Sequence, residues 1–350
     1  MTHVPRTRLP ISRFDYDLPP ELIAQQPIEP RDSSRLLIVP RGGMVFQDRG
    51  FRELPEILQM GDVLVLNDTR VIPARLFALR STGGKVEILL LSHIEGDTWR
   101  VLARPARRLQ PGEMLDVLDR SGSSSPAQIE VIGREPEGEF ILRVDDATRT
   151  IQRFGQVPLP PYIGEQLDDP ERYQTVFADR EGSAAAPTAG LHFTPQLLKR
   201  CRERGIDVLY VTLHVGLDTF QPVKVEDALQ HKMHSEWYQV KASTIQALRL
   251  AKQNGRRILA VGTTAARTLE TVAPFIGEDR DQSGRTSMYI TPDYHFQLLS
   301  GMVTNFHLPR TTLLLMVSAL AGENTIQQAY QHAIQERYRF YSFGDAMLIV

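Results

Sequence analysis

"VLVLNDTRVIPARLFALR", residues 63–80, holds the change of character on which the fold turns. Val63–Leu66 is an unbroken apolar run, the pattern of a strand buried on both faces, and Asn67–Asp68 then supply an Asx turn. From Ala74 onward the runs become short. "ARLFALR" (74–80), "KVEILLLSHI" (85–94), "TWRVLARPA" (98–106), "AQIEVIG" (127–133) and "EFILRV" (139–144) are separated by Gly, Ser, Asp and Pro turns. Five strand-like runs at this spacing predict a small antiparallel barrel or sandwich.

On either side of it the pattern differs. Residues 14–37 are rich in proline and charge, and lead to a strand-like Leu36–Val39. After residue 150, helical stretches at 195–204, 242–254 and 324–337 alternate with strands "DVLYVTLHV" (207–215) and "RRILAVG" (256–262), with "LLLMVSAL" (313–320) a further candidate strand. Alternation of this kind predicts α/β layers. The expected architecture is a mixed α/β domain made of residues 1–71 and 151–350, with a small antiparallel β-barrel inserted at 72–150.

Bulk composition narrows the class. The chain has 350 residues, 42% hydrophobic and 23% charged, as in ordinary globular proteins. A net charge of −2 excludes a uniformly basic surface but leaves room for a local phosphate-binding patch. With Cys201 as its one cysteine, the chain cannot form an internal disulfide or a cysteine-rich metal site, and a reducing, cytoplasmic setting is expected. No apolar run follows the N-terminal arginines, so no signal peptide is expected. "LLLMVSALA" (313–321) is too short to span a bilayer.

Candidate chemistry gathers at four strand exits. "LVLNDTRVIPARL" (64–76) carries Asn67, Asp68 and Arg70. "VTLHVGLDTFQPV" (211–223) carries His214 and Asp218. In "RRILAVGTTAARTLETV" (256–272), Thr263 or Thr264 can cap a helix bearing Arg267 and Glu270 on one face. "VTNFHLPRTTLLL" (303–315) carries Asn305, His307 and Arg310. Ligands of open α/β sheets collect beyond the carboxyl ends of strands, so four polar exits together indicate a site. "AAAPTAGLHFT" (184–194) adds a small-residue loop with Ala186, Thr188 and Gly190, ending on His192. "WRVLARPARRLQPGE" (99–113) is a basic run whose planar guanidinium groups suit phosphate. His231 and His234 have metal-like spacing without an HExxH or carboxylate pattern, so no metal site is expected. GxGxxG, GxxxxGK[ST] and GxSxG motifs are missing.

Ten blocks carry a resemblance to a known family: "FDYDLPPELIAQQP", "RDSSRLL", "LVLNDTRVIPARL", "GGKVEILLL", "ARPARRL", "GSAAAPTAGLHFT", "VTLHVGLDTFQPV", "VGTTAARTLE", "TNFHLPRTTLLLMVSALAG" and "YRFYSFGDAMLI". In content and order they closely resemble the S-adenosylmethionine:tRNA ribosyltransferase-isomerases of queuosine biosynthesis, from about Phe14 to the C-terminus. The resemblance implies a mixed α/β fold with an inserted barrel. It also implies transfer and isomerisation of the ribosyl part of S-adenosylmethionine onto 7-aminomethyl-7-deazaguanine at the wobble position of tRNA. Epoxyqueuosine-tRNA, adenine and methionine are the products.

That chemistry needs a base for a sulfonium-acidified C5′ hydrogen and an acid for departing adenine, tasks for which histidine is suited. His192 beside the small-residue loop is the first candidate, with His214, His307 and Asp68 as further catalytic candidates. Thr264, Arg267 and Glu270 are expected to hold the methionine end. Arg70, Asp218, Asn305, Arg310, Ala186, Thr188 and Gly190 complete the expected substrate site, and Arg104, Arg107 and Arg108 are expected to contact tRNA phosphate. S-adenosylmethionine is a co-substrate, no other cofactor is expected, and neither is a membrane partner. The partner is the tRNA anticodon stem-loop, and a monomer is expected. The alternatives are a histidine-dependent nucleoside metallohydrolase and a non-catalytic RNA-binding protein.

Overall fold

The computed structural model describes residues 7–350 except 120, 136–137, 165–166, 168 and 217–221. The described strands, in chain order, begin with β1 (Arg35–Val39), β2 (Gln47–Gly50), β3 (Val63–Asn67) and β4 (Thr69–Val71). Next come β5 (Arg75–Arg80), β6 (Lys85–Glu95), β7 (Thr98–Arg104), β8 (Met114–Leu118), β9 (Ser124–Arg134) and β10 (Glu139–Val144). The series ends with β11 (Arg180–Ser183), β12 (Asp207–Leu213), β13 (Glu236–Val240), β14 (Ile258–Val261), β15 (Gln282–Thr286), β16 (Gly301–Asn305) and β17 (Ala346–Ile349). The helices are α1 (Leu54–Ile57), α2 (Ala147–Phe154), α3 (Pro195–Glu203), α4 (Ala242–Gln253), α5 (Thr263–Val272), α6 (Thr312–Ala321) and α7 (Glu323–Gln335). The chain divides into two compact units, one of residues 1–69, 160–180 and 186–350, the other of residues 70–159 and 181–185.

The larger unit is built on a nine-stranded sheet in the order β15-β13-β12-β3-β14-β16-β17-β1-β2. Strands β12, β3, β14 and β16 are mutually parallel, whereas β17 runs antiparallel to β16 and parallel to β1. Residues of β3, β14, β16 and β17 are buried throughout, which is why these strands are continuous apolar runs and show no alternation. The period of two still sorts their side chains. Leu64, Leu66, Leu259, Val303 and Leu348 join Phe193, Leu197 and Cys201 in one core layer, and Leu54 and Leu58 close it. Parallel pairing in this order sets the carboxyl ends of β12, β3, β14 and β16 along one sheet edge, the edge where α/β proteins hold ligands.

In the smaller unit, β10-β7-β6-β5-β8-β9 close into a barrel. Alternate burial along β5, β7 and β10 fills its interior with apolar side chains such as Leu76, Ala78, Val101, Phe140 and Leu142.

Two elements depart from the sequence reading. The barrel has a sixth strand, β8, in "MLDVL", where the central Asp116 masks a short apolar run. "LLLMVSAL" is helix α6, not a strand; Thr311 caps it by accepting from the Leu314 N–H. Its burial on nearly every side removes the amphipathic period that would have marked it as helical.

Candidate functional site

The carboxyl edge opens into a cleft of about 590 Å³, counted out to its mouth. Its wall combines Ala186, Thr188 and Ala189 of the small-residue loop with Gly262, Thr263 and Thr264 after β14. Thr304, Asn305 and His307 enter from β16 and its exit, and Thr311 and Leu313 from the start of α6. Tyr162 and Tyr341 add an aromatic side, their ring centroids 4.9 Å apart. None of the described lining residues carries a charged side chain.

Local sequence explains the approach of each segment. Gly262 has φ +87° and forms the N-cap of α5, a conformation that L side chains avoid. A Cβ there would lie 3.4 Å from that of Ala189, an ordinary van der Waals contact, so the backbone conformation rather than crowding calls for glycine. No side chain caps α5, so neither Thr263 nor Thr264 takes the expected capping role. The N-terminal turns of α5 and α6 both border the cleft, and a helix N-terminus carries a partial positive charge. At the exit of β3, Asn67 accepts from the N–H of Leu213 and of Thr69, giving the expected Asx turn, and donates to Thr264 Oγ1 at 3.2 Å. It thereby ties three strand exits together.

The three candidate histidines differ in place. His307 lines the cleft; its Nε2 lies 2.9 Å from Thr304 Oγ1, while its backbone N–H donates to Tyr330 Oη and its carbonyl accepts from Tyr16 Oη. Burial pushes its pKa down to about 3. His192 lies behind the wall, stacked on Phe51 at 4.9 Å, with Nδ1 2.7 Å from Ser34 Oγ and Nε2 3.4 Å from Asn305 Nδ2. Burial, then the charge of Arg339, holds it down to about 3, so it is a neutral ring that does not border the cleft. His214 stacks on Trp237 and contacts Thr69 Oγ1 at 2.8 Å; burial lowers it to about 4. Val215, next along the chain, reaches the cleft wall, but His214 does not.

Other expected site residues are distributed as follows. Asp68 accepts from Thr212 Oγ1 at 2.6 Å, and burial raises its pKa. Arg310, at φ +57°, faces Asp15 at 3.8 Å. Gly190 is not part of the wall: a Cβ there would lie 2.8 Å from Phe177 Cζ, so its smallness serves packing on the other side of the loop. Arg267 and Glu270 do not share a partner, because the helix directs them to separate buried contacts. Arg267 pairs with Glu236 and is lowered to about 10 by burial. Glu270 accepts from Tyr294 Oη and from the N–H groups of Gln297, Leu298 and Leu299 at 2.7–3.0 Å. Arg70 belongs to the barrel-containing unit, as do Arg104 and Arg107, both exposed. Asp218 and the Arg108 side chain lie outside the described residues. Among the described residues, no group of three His, Cys, Asp or Glu side chains is placed to hold a metal ion. No helix there is long and apolar enough to cross a membrane.

Sequence reading missed Tyr162, Tyr341 and Ser34. Tyr341 has φ +70°, rare for an aromatic residue and a mark of functional sites; "YRFYSFGD" showed its block but not its strain.

Fold and site define a mixed α/β protein with a cleft at the carboxyl edge of its parallel strands, its described lining residues uncharged. The chain belongs to a family described as queuosine biosynthesis protein, whose model matches residues 11–349. Relatives from Moorella thermoacetica and Symbiobacterium thermophilum are 52% and 51% identical, each alignment covering 97% of this chain and 99% of the relative. Both are named S-adenosylmethionine:tRNA ribosyltransferase-isomerase. The crystal structure of S-adenosylmethionine tRNA ribosyltransferase from Thermotoga maritima is similar, with TM-score 0.56 and 39% identity over 97% of this chain and 100% of that one.

Proposed function

We propose that the cleft binds S-adenosylmethionine. In this reading the chain transfers and isomerises its ribosyl part onto 7-aminomethyl-7-deazaguanine of tRNA, and adenine and methionine leave. The observation that carries the reading is a small-residue cleft, uncharged among its described lining residues and flanked by two helix N-termini, in a chain of this family. Small side chains at Ala186, Ala189 and Gly262 let a nucleoside meet backbone, and helix N–H groups suit the carboxylate of the methionine tail. Of the three histidines, His307 borders the cleft and takes the acid/base position. Arg267 and Glu270, committed to Glu236 and to the 297–299 backbone, are supports of the site rather than ligands for methionine.

Product analysis tests the reaction. Incubation with S-adenosylmethionine and tRNA carrying the deazaguanine precursor is expected to release adenine and methionine in equal amounts, and neither without tRNA. S-adenosylhomocysteine in their place would make the protein a methyltransferase.

The larger unit is the catalytic domain in this proposal, and the barrel contributes tRNA contacts through Arg104, Arg107 and Arg108. Replacing all three by alanine is expected to weaken tRNA binding and to reduce the slope of log affinity against log salt by about one per lost phosphate contact. S-adenosylmethionine affinity, measured by calorimetry on the same variant, is expected to stay unchanged. Equal loss of both ligands would remove the assignment.

A further inference from the structure

Behind the cleft wall, Ser34, His192 and Asn305 form a buried line. Ser34 Oγ is 2.7 Å from His192 Nδ1, and His192 Nε2 is 3.4 Å from Asn305 Nδ2. The Asn305 amide nitrogen also donates to the Tyr341 carbonyl at 2.9 Å, so its two hydrogens point at His192 and at Tyr341. Flipping the amide would set Oδ1 against that carbonyl, oxygen to oxygen. For Nε2 to receive the second hydrogen, the imidazole proton must sit on Nδ1 and be donated to Ser34. Burial keeps the ring in this neutral form. One atom of the network remains: Asn305 Oδ1 is buried, makes no hydrogen bond, and belongs to a residue that lines the cleft and is only 3% exposed.

A buried acceptor without a donor is costly unless a ligand supplies one. An ammonium group is a poor match, since the described wall has no carboxylate to balance it. A neutral N–H beside the Tyr162 and Tyr341 rings fits an amino group on a flat heterocycle. We propose that Ser34 and His192 are positioning residues that lock the Asn305 amide, so that its Oδ1 accepts from the exocyclic amine of a purine in the cleft. This rests on the cleft being the nucleoside site. It makes Asn305 the reader of that amine and removes His192 from proton transfer. Two purines take part in the proposed reaction, the adenine of S-adenosylmethionine and the deazaguanine of tRNA, and both carry such an amine.

The test compares binding of S-adenosylmethionine and its 6-oxo analogue, S-inosylmethionine, in the absence of tRNA, and separately the KM for tRNA. Wild-type protein is expected to prefer the 6-amino compound by about 10-fold or more, because an oxo group offers Oδ1 no hydrogen. Asn305→Leu is expected to abolish the preference. His192→Phe keeps the ring on Phe51 but offers no acceptor, and is expected to lose most of the preference. His192→Gln, whose Oε1 replaces Nε2 as acceptor, is expected to regain part of it. The His192→Phe/Asn305→Leu double variant is expected to be no worse than Asn305→Leu alone. Ser34→Ala provides a milder probe with His192 intact, should His192→Phe fail to fold.

A loss confined to the KM for tRNA, with the same non-additivity, would assign the amine to the tRNA base. Losses that multiply in the double variant, or an unchanged preference and an unchanged KM, would overturn the relay. Failure of the wild-type protein to bind S-adenosylmethionine would instead overturn the site reading on which the relay rests.

Discussion

Lowering the pH from 7.5 to 5 is expected to cost the fold about 6 kcal/mol through three histidines alone. His192 and His307 are held to a pKa of about 3 and His214 to about 4, in each case chiefly by burial. Exposed in the unfolded chain, each titrates near 6.5. Between these values the unfolded state binds more protons than the folded one, so stability rises with pH. The contribution is full above the unfolded value and is lost as pH falls toward the folded one. At pH 5 each ring accounts for about 2 kcal/mol. Asp68, whose pKa is raised by burial, acts with the opposite sign. Urea unfolding at a series of pH values measures the effect. His192→Phe, if folded, is expected to show a shallower slope by about one third, because one of three equivalent contributions is gone. A stability profile that is flat between pH 7.5 and 5 would show that these rings titrate in the native state as they do in the unfolded chain, and would restore His192 as a candidate acid.

Much of the fold was legible because physics acts locally in its elements. Val63–Leu66 and Ile258–Val261 are buried on both faces, so their strands appear as bare apolar runs. Thr194 caps α3 ahead of Pro195, a start signal visible in the chain itself. Burial also concealed structure: α6 is apolar all round, which erased its period, and the signal that remained was the Thr311 cap. The site was legible as a location, since strand exits and small residues mark the carboxyl edge. The partner of each polar side chain was not. Arg267 and Glu270 lie three residues apart, yet one meets Glu236 on a neighbouring strand and the other a loop near residue 298. Such pairings arise from long-range packing, which no local spacing records. For the same reason neither Ser34, 158 residues from His192, nor the packed setting of the His192 ring could be found from the chain.

Glu270→Ala is expected to destabilise the protein by about 4 kcal/mol while leaving S-adenosylmethionine affinity nearly unchanged. The carboxylate is 1% exposed and receives four hydrogen bonds, one from Tyr294 and three from consecutive backbone N–H groups of Gln297, Leu298 and Leu299. These donors fix the side chain, and in return it fastens the 294–299 loop directly before β16. Alanine would leave three N–H groups without an acceptor, each costing about 1–3 kcal/mol if water does not reach it. Glutamine is no remedy, because its amide nitrogen would turn a donor toward donors; it is expected to recover less than half of the loss. The loop precedes β16, and β16 delivers Thr304 and Asn305 to the cleft, so an effect on turnover is expected only where the variant begins to unfold. Urea unfolding and calorimetric titration, both at low temperature, separate the outcomes. A large drop in stability with a normal dissociation constant identifies Glu270 as the clasp of the loop. A normal stability with affinity lowered by orders of magnitude would instead place the carboxylate on the ammonium group of the methionine tail, and the loop contacts would then be incidental.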